Sequence, residues 1–202
     1  MTTLKLHSRG EDVKILQGLL GLYQDGVFGK ITENAVKQWQ RNHGLDDDGI
    51  VGAKTWATLQ PIVKKSKRTI NEIIVHCSAT VEGKDYTVAD ICRWHLQRGF
   101  TDIGYHYVVY RDGSIHNGRD VDKSGAHCTN HNLHSIGVCY IGGLAKDGKT
   151  PKDTRTDAQK AALLKLIKAL KGVYPKATVH GHREYQNKAC PCFDAKTEYK
   201  NV

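Results

Sequence analysis

The chain has 202 residues, of which 39% are hydrophobic and 25% are charged, and its formal net charge is +9 at pH 7. This composition is typical of a soluble globular protein and excludes a chain that is disordered throughout. No run approaches the roughly 18 consecutive apolar residues that suggest a membrane span, so we expect no membrane partner. Residues 1–7 lack the apolar core of a secretory signal, which favours synthesis in the cytoplasm without a signal peptide.

The basic residues are unevenly distributed along the chain. Residues 1–60 carry seven basic and seven acidic side chains, so the whole excess of positive charge lies beyond residue 60. Four of the basic residues form one run, Lys64, Lys65, Lys67 and Arg68. A basic surface favours polyanions, which include nucleic acid and an anionic cell wall. Because such a run is equally typical of a solvated connector, we expect no nucleic-acid partner on this ground.

An internal repeat organises residues 4–60. Asp25-Gly26-Val27-Phe28-Gly29 precedes Thr32, and Asp48-Gly49-Ile50-Val51-Gly52 precedes Thr55 at the same offset. Each Asp-Gly pair with its second glycine predicts a tight turn before a helix. Apolar residues at helical spacing predict three helices, marked by Val13, Leu16 and Leu20, by Ile31, Ala35 and Trp39, and by Trp56 and Leu59. We therefore predict a small three-helix domain over residues 1–60.

This segment resembles the peptidoglycan-binding domain type 1 family. Besides the two glycine turns and their threonines, the matching residues are Ser8-Arg9-Gly10, Val13, Leu16-Gln17, Ala35-Val36, Trp39-Gln40, Gly44-Leu45 and Trp56. The resemblance implies that residues 1–60 bind bacterial peptidoglycan. Most of these residues build turns and core, so they identify the fold more directly than the ligand.

Residues 61–69 form a short, polar and basic connector, after which the pattern changes. Strands are predicted where β-rich or alternating runs occur, over residues 70–75, 105–110, 136–141 and 177–179, with a turn at Asp112-Gly113. Thr87 with Asp90 begins a helix through Arg98. Thr156 with Gln159 begins a longer helix, whose apolar face is Ala162, Leu163, Leu166, Ile167 and Leu170. Residues 70–202 are therefore predicted to be an α/β domain with a mixed central β-sheet flanked by helices.

Three candidate metal ligands lie far apart in the sequence. His76 ends an apolar strand, His182 follows a short strand, and Cys190 comes eight residues after His182. Two imidazoles and one thiolate are suitable zinc ligands, and three protein ligands leave a fourth position for water, as catalytic sites require. A closed structural site would need four ligands, usually in paired clusters, and Cys190-Pro191-Cys192 is too tight for that spacing. The spacing of the six cysteines is not that of a disulfide framework, so we expect free thiols.

Six sequence blocks resemble the phage lysozyme-type N-acetylmuramoyl-L-alanine amidases, relatives of the peptidoglycan recognition proteins. The blocks are Val75-His76-Cys77-Ser78-Ala79-Thr80, Gly104-Tyr105-His106-Tyr107, Arg111-Asp112-Gly113, Gly118-Arg119-Asp120, His134-Ser135-Ile136-Gly137-Val138-Cys139 and Lys188-Ala189-Cys190-Pro191. The resemblance implies a zinc-dependent enzyme that hydrolyses the amide bond between N-acetylmuramic acid and L-alanine in peptidoglycan. It also implies that His76, His182 and Cys190 bind one catalytic zinc ion and that Tyr105 and Lys188 are catalytic.

The chemistry of these side chains agrees with the implied roles. Zinc with two neutral imidazoles and one thiolate keeps a net charge near +1, so it can lower the pKa of a bound water and polarise an amide carbonyl. Lys188, two residues before Cys190, could stabilise the oxyanion that forms during attack. Tyr105 could donate a hydrogen bond to the developing charge or relay a proton. No helical His-Glu-x-x-His arrangement occurs, which excludes a thermolysin-like scheme.

Several residues allow a second interpretation. His180 could be taken for the ligand, although the Gly-His pattern of the family favours His182. His127 could line the substrate groove or belong to an ordinary loop. Cys192 could act as a spare soft ligand or be inert, and the two cysteines in strand contexts, Cys77 and Cys139, are predicted to be small core residues.

Three functions are compatible with the sequence. The first is a two-domain endolysin that degrades the cell wall. The second is a non-catalytic peptidoglycan recognition protein, but some of those lack the cysteine ligand, whereas here Cys190 is present together with Tyr105 and Lys188. The third, a regulatory protein that binds a polymerase, has only weak support from the basic charge. We expect a monomer, made in the host cytoplasm, that acts on the cell wall after release.

Overall fold

The computed structural model describes residues 2–20, 22–59 and 63–202, which form two compact units, Met1–Ile62 and Val63–Val202. The boundary between the units falls inside the predicted connector. The first residues of that connector, 61 and 62, lie outside the described residues.

From Val63 onward, the predicted connector packs against the second unit. Ser66 is buried; its backbone N–H donates to the Tyr174 hydroxyl (2.6 Å) and its own hydroxyl donates to the Val121 carbonyl (2.6 Å). The Arg68 guanidinium donates to four backbone carbonyls, those of Val121, Asn132, Leu133 and Ser135. Residues 63–69 are therefore an anchored part of the second unit, held through Ser66 and Arg68, whereas the lysines of the basic run, Lys64, Lys65 and Lys67, are exposed.

The first unit contains the three predicted helices, α1 (Glu11–Leu19), α2 (Lys30–Asn42) and α3 (Ala53–Leu59). Their shared core consists of Leu4, Val13, Leu16, Phe28, Val36, Val51, Trp56 and Leu59. Of the residues that mark α2 in the sequence, Ile31 is 76% exposed and Trp39 packs against the core, whereas the buried face of the helix consists of Thr32, Val36 and Gln40. Polar residues occupy this face because hydrogen bonds satisfy them, which the apolar pattern could not indicate.

A pair of matching hydrogen-bond networks holds the two glycine turns of the first unit. The Gln17 side-chain amide donates to Asp25 Oδ1 (2.7 Å), the Val27 carbonyl (3.0 Å) and Thr32 Oγ1 (3.1 Å), and its oxygen accepts from the Gly26 N–H (2.9 Å). Gln40 makes the same four contacts with the second turn, to Asp48 Oδ1 (2.9 Å), the Ile50 carbonyl (2.9 Å), Thr55 Oγ1 (3.2 Å) and the Gly49 N–H (2.9 Å). The sequence repeat is thus a repeat of buried polar structure.

The second unit is built on a five-stranded sheet. Its strands are β1 (Glu72–Cys77), β3 (Tyr107–Val109), β4 (Ile115–Asn117), β5 (Ser135–Tyr140) and β7 (Thr178–Gly181). Their spatial order is β4-β3-β5-β1-β7, with only the β3–β4 pair antiparallel. Two short strands, β2 (Thr80–Val81) and β6 (Gly143–Leu144), form a separate parallel pair. This arrangement confirms the predicted mixed sheet.

Helices cover both faces of this sheet. The long helix α5 (Asp157–Val173) packs its predicted apolar face, including Leu163 and Leu166, against Ile73 and Val75 of β1. Ile91 of α4 (Val88–Gln97) belongs to a second cluster, with Val108, Ile103 and Ile141. A short helix, α6 (Ala195–Glu198), follows near the end of the chain. Because side chains alternate along a strand, His76 of β1 faces away from α5.

Both predicted helix starts in this unit are capping boxes. The Thr87 hydroxyl accepts from the Asp90 N–H at the start of α4, and the Thr156 hydroxyl accepts from the Gln159 N–H at the start of α5. Within the described ranges 2–20, 22–59 and 63–202, no helix combines the length and apolar character needed to cross a membrane.

Candidate metal centre and cleft

The three predicted metal ligands come together at one edge of the sheet. β1 and β7 are parallel neighbours with Val75 opposite Gly181, so the next residues, His76 and His182, emerge side by side. One ligand atom from each of His76, His182 and Cys190 lies within 4.8 Å of the other two. His76 Nδ1 is 3.8 Å from Cys190 Sγ, and the two histidine ring centroids are 4.6 Å apart.

Backbone contacts hold Cys190 in this cluster. Its carbonyl accepts from the Arg183 N–H (2.7 Å), which closes the loop that begins at His182. Its Sγ accepts from the Cys77 N–H at 3.3 Å, at the end of β1. Cys190 is therefore tied to the end of β1 and to the residue that follows His182.

The electrostatics of the cluster favour neutral imidazoles with free lone pairs. Burial lowers the pKa of His76 well below its ordinary value, and the nearby His127 and His182 lower it further. Burial also lowers the pKa of His182, with a further contribution from the charge of Lys188. His182 Nε2 is buried and has no hydrogen-bond partner among the described residues. Buried polar atoms are almost always paired, so an unpaired nitrogen beside a thiol and a second imidazole fits a soft divalent cation such as zinc.

The cluster lies beside a cleft of about 590 Å³. His182 and Cys190 line the cleft together with the two predicted catalytic residues, Tyr105 and Lys188. The Tyr105 ring centroid is 5.1 Å from that of His76, and burial raises the pKa of the Tyr105 phenol, which keeps it a hydrogen-bond donor. Lys188 is exposed. The predicted strand start at Tyr105 was wrong, because β3 begins at Tyr107 and Tyr105 stands just before the strand.

One wall of the cleft was not predicted from the sequence. It comes from α4 and the loop before it, through Tyr86, Ile91, Trp94, His95 and Arg98, with the Tyr86 and Trp94 rings in edge contact at 5.2 Å. Four of these residues recur at spacings of three and four, so one helix face carries them. The helix was predicted but its face was not assigned to a site. Lys188 and Arg98 are the cations of the lining, and no acidic side chain is among the described residues that form it.

His127, which the sequence suggested as a lining residue of the substrate groove, is buried behind His76. It is 8% exposed and is absent from the described lining of the cleft. Its Nδ1 is 3.0 Å from His76 Nε2, on the side of the His76 ring away from Cys190. His127 does lie in a loop, as one of the two interpretations held. Its ring points into the protein, where the glycines at 125 and 137 leave space for it.

The other residues with a second interpretation, a histidine and several cysteines, can also be located in the structure. His180 contacts Glu184 (2.7 Å) and Thr178 (2.9 Å) and is not in the ligand cluster. All six cysteines, which lie within the described part of the chain, are free. Cys139 is fully buried, and Cys77 is 5% exposed with its Sγ 3.8 Å from Cys192 Sγ. Hydrogen bonding to Cys190 and burial raise the pKa of Cys77 to about 12.

Comparisons with known proteins match the two units to two families. The family described as "N-acetylmuramoyl-L-alanine amidase" matches residues 66–193, and that described as "Putative peptidoglycan binding domain" matches residues 9–59. The chain is 40% identical over 128 residues to an endolysin of Enterobacteria phage K11, a match that covers 63% of this chain and 84% of the phage protein.

Solved structures agree with this assignment. The N-acetylmuramoyl-L-alanine amidase LysC from Clostridium intestinale superposes with a TM-score of 0.54 at 25% identity, over 65% of this chain and 82% of that one. Bumblebee PGRP-SA, at 23% identity, shares the fold with a TM-score of 0.54 over 71% of this chain and 91% of its own. The chain therefore belongs to the N-acetylmuramoyl-L-alanine amidase family, and its two matched regions give it the organisation of a modular endolysin.

Proposed function

We propose that this protein hydrolyses the amide bond between N-acetylmuramic acid and L-alanine in bacterial peptidoglycan, with a zinc ion held by His76, His182 and Cys190. Membership of the amidase family and the phage endolysin relatives support peptidoglycan amidase activity in general. The observation that carries the zinc-dependent form is the ligand cluster itself. Two imidazoles and a thiol meet beside an open cleft, and one buried nitrogen there lacks a hydrogen-bond partner among the described residues.

The side chains around the cluster divide the work of amide hydrolysis. A zinc ion in a site with three protein ligands supplies Lewis acidity towards the amide carbonyl and lowers the pKa of water. Tyr105, whose phenol stays protonated, donates a hydrogen bond to the carbonyl oxygen as negative charge develops on it. Lys188 contributes positive charge at the cleft, which stabilises the same oxyanion.

The charge of the cleft supports an anionic substrate. Arg98 and Lys188 line it, and the described lining residues include no carboxylate to offset them. Tyr86 and Trp94 add aromatic surface on the same wall. A cationic, partly aromatic cleft suits an acidic peptide attached to a sugar better than a neutral one.

The enzyme is favoured over a non-catalytic recognition protein by the completeness of the side-chain set. Recognition proteins with the same fold are among the structural matches. In this chain the thiol of Cys190 lies 3.8 Å from His76 Nδ1, and Tyr105 and Lys188 line the same cleft. A binding protein has no need of a metal-binding thiol beside a phenol and an ammonium group.

The test is digestion of purified sacculi, with the products identified by mass spectrometry. We expect free stem peptides with an N-terminal alanine and intact glycan, and loss of this release after complete removal of zinc. Restoring zinc to the depleted protein should restore the release. Binding of sacculi without any release by the zinc-loaded protein would favour the recognition function. Release that persists in metal-free protein would exclude the zinc-dependent form.

We propose that the first unit binds the cell wall and raises the local concentration of the second unit there. Its match to the peptidoglycan-binding family supports this role, and a depression of about 310 Å³ beside its second glycine turn offers polar groups to a ligand, including Asp46, Asp48 and Lys54. Deleting residues 1–62 should lower activity on intact walls more than on soluble muropeptides. Equal losses on both substrates would indicate a purely structural first unit.

Domain bounds, oligomeric state and place of action complete the proposed function. We propose a wall-binding domain over residues 1–60, a catalytic domain over residues 70–202 against which residues 63–69 pack, a monomeric state, and action on the cell wall after release from the host cytoplasm. Sedimentation of the purified protein tests the monomer directly.

A further inference from the structure

We propose that His127 is a positioning residue for His76, which fixes the lone pair of His76 Nδ1 towards Cys190 and His182 by accepting a hydrogen bond from His76 Nε2. This inference rests on the proposed zinc function. His127 itself is buried and is absent from the described lining of the cleft, so it acts through His76 and not on the substrate.

The contacts of the His76 ring assign its proton. Its Nδ1 lies 3.8 Å from Cys190 Sγ, on the ligand side, and its Nε2 lies 3.0 Å from His127 Nδ1, on the opposite side. A neutral imidazole that binds a metal through Nδ1 carries its proton on Nε2. His76 Nε2 is then the donor and His127 Nδ1 the acceptor.

The same assignment satisfies the next two contacts of the chain. His127 keeps its own proton on Nε2, which lies 3.4 Å from Ser135 Oγ. The Ser135 hydroxyl donates to the carbonyl of His131 at 2.8 Å. Each group in the series donates to the next one, from His76 to His127, then to Ser135, and from Ser135 to the His131 carbonyl. No contact in the series therefore places two hydrogens against each other. A hydrogen bond from the second ring nitrogen is the usual means by which proteins orient a metal-binding histidine.

The surrounding backbone holds the His127 ring in place. A side chain at Gly125 or Gly137 would put its Cβ 2.4 Å from His127 Cδ2, so the two glycines make the space that the ring fills. Asn132 Oδ1 accepts from the backbone N–H groups of both His127 (2.8 Å) and Cys128 (2.9 Å). The ring is therefore fixed by packing and by its loop as well as by His76.

The neighbouring buried histidine, His106, has a different role and provides the control. Its Nδ1 accepts from the Gly137 N–H (2.9 Å), and its Nε2 lies 3.1 Å from both the Lys123 carbonyl oxygen and the Arg68 guanidinium. Its ring makes an edge contact with that of His127 at 5.6 Å. His106 therefore supports the fold around His127 without a hydrogen bond to the ligand cluster.

The test compares zinc affinity and thermal stability in full-length variants. His127→Leu removes the acceptor, His127→Asn keeps an oxygen near the position of Nδ1, and His106→Leu removes a buried histidine outside the chain. Zinc dissociation constants are measured on the folded proteins by competition with a chromophoric chelator. We expect His127→Leu to weaken zinc binding by about 10- to 100-fold, His127→Asn to recover most of the loss, and His106→Leu to lower the melting temperature without changing the zinc affinity.

The outcomes separate the two proposals. A wild-type protein that binds no zinc would contradict the proposed function. A wild type that binds zinc, with His127→Leu binding it equally well or His127→Asn as weakly as His127→Leu, would overturn the role of His127 alone. If the leucine variant does not fold, the tautomer of His76 is measured instead. The measurement is nitrogen-15 NMR of the zinc-loaded wild-type protein with labelled histidine. We expect a protonated Nε2 on His76, and a protonated Nδ1 there would overturn the inference.

Discussion

The two units bury polar side chains in opposite ways. In the first unit, Gln17 and Gln40 are 2% and 1% exposed, and each has its amide nitrogen and oxygen paired with a turn, a carbonyl and a threonine. In the second unit, His182 is 6% exposed, and its Nε2 has no hydrogen-bond partner among the described residues. The first pattern is self-contained, whereas the second leaves a buried nitrogen for the zinc ion that we propose.

The two sets of buried polar residues also differ in how far apart their members lie in the sequence. The glutamine contacts join residues no more than 15 positions apart, but His76 and Cys190 are 114 positions apart. A local, fully paired network contributes to stability, because each buried group keeps the hydrogen bonds it had in water. A buried nitrogen without a hydrogen-bond partner costs stability, which is typical of a functional site.

The largest effect is expected from removing the thiol of the ligand cluster. Cys190→Ser should lose zinc and lower the rate of amide hydrolysis by about 10³-fold or more, because a Lewis acid supplies several kcal/mol of transition-state stabilisation. Binding to sacculi should persist, since we assign it to the first unit. Cys92→Ser, a partly buried thiol of α4 outside the cluster, is the control and should retain activity. Full turnover in Cys190→Ser would move the ligand assignment elsewhere.

A smaller loss of rate is expected from Tyr105→Phe. The ring stays to fill its partly buried position, but the hydroxyl that we assign to the carbonyl oxygen is gone. Loss of one such donor typically lowers kcat by about 10²-fold or more, with little change in KM. Zinc content, measured by metal analysis, should remain at the wild-type level. An unchanged kcat would remove Tyr105 from the catalytic set.

The glutamine networks should give matched losses of stability and no direct loss of catalysis. Gln17→Ala and Gln40→Ala each leave the N–H of a turn glycine without its partner, which should lower the free energy of unfolding of the first unit by about 2 kcal/mol. Denaturant unfolding followed by tryptophan fluorescence measures this. Gln38→Ala, at an exposed position of α2, is the control. A large loss in one variant and none in the other would show that the two networks are not equivalent.

The smallest effect is expected at the rim of the cleft. Arg98→Gln should raise KM for an acidic muropeptide by about three- to fivefold at low salt, with kcat unchanged, because an exposed charge contributes modestly to binding. Arg93→Gln removes a neighbouring helix charge that pairs with Asp90 and does not line the cleft. Equal effects of the two variants would indicate general attraction between the surface and the substrate.

Much of the fold could be predicted because its signals are local. The capping boxes at Thr87 and Thr156 lie within four residues of the structure they specify, and the apolar face of α5 repeats over the whole helix. The burial of Thr32 and Gln40 on α2 could not be predicted, because hydrogen bonds satisfy these side chains and an apolar pattern does not record such bonds. The packing of residues 63–69 could not be predicted for a related reason, since Arg68 is held by backbone carbonyls that follow it by more than 50 positions.

The candidate site could be predicted only in part. Strand ends and ligand chemistry, together with the family resemblance, selected His76, His182 and Cys190, and the structure brings the three together. The inward position of His127 could not be predicted, because it depends on space left by Gly125 and Gly137 and on a contact 51 residues away.

The most direct measurement is a crystal structure with anomalous scattering recorded at the zinc absorption edge. We predict one strong peak about 2.0–2.3 Å from a nitrogen of His76, a nitrogen of His182 and Cys190 Sγ, with no fourth protein atom at bonding distance. A zinc-loaded crystal with no peak at this position, or with the ion enclosed by a fourth protein ligand, would contradict the account.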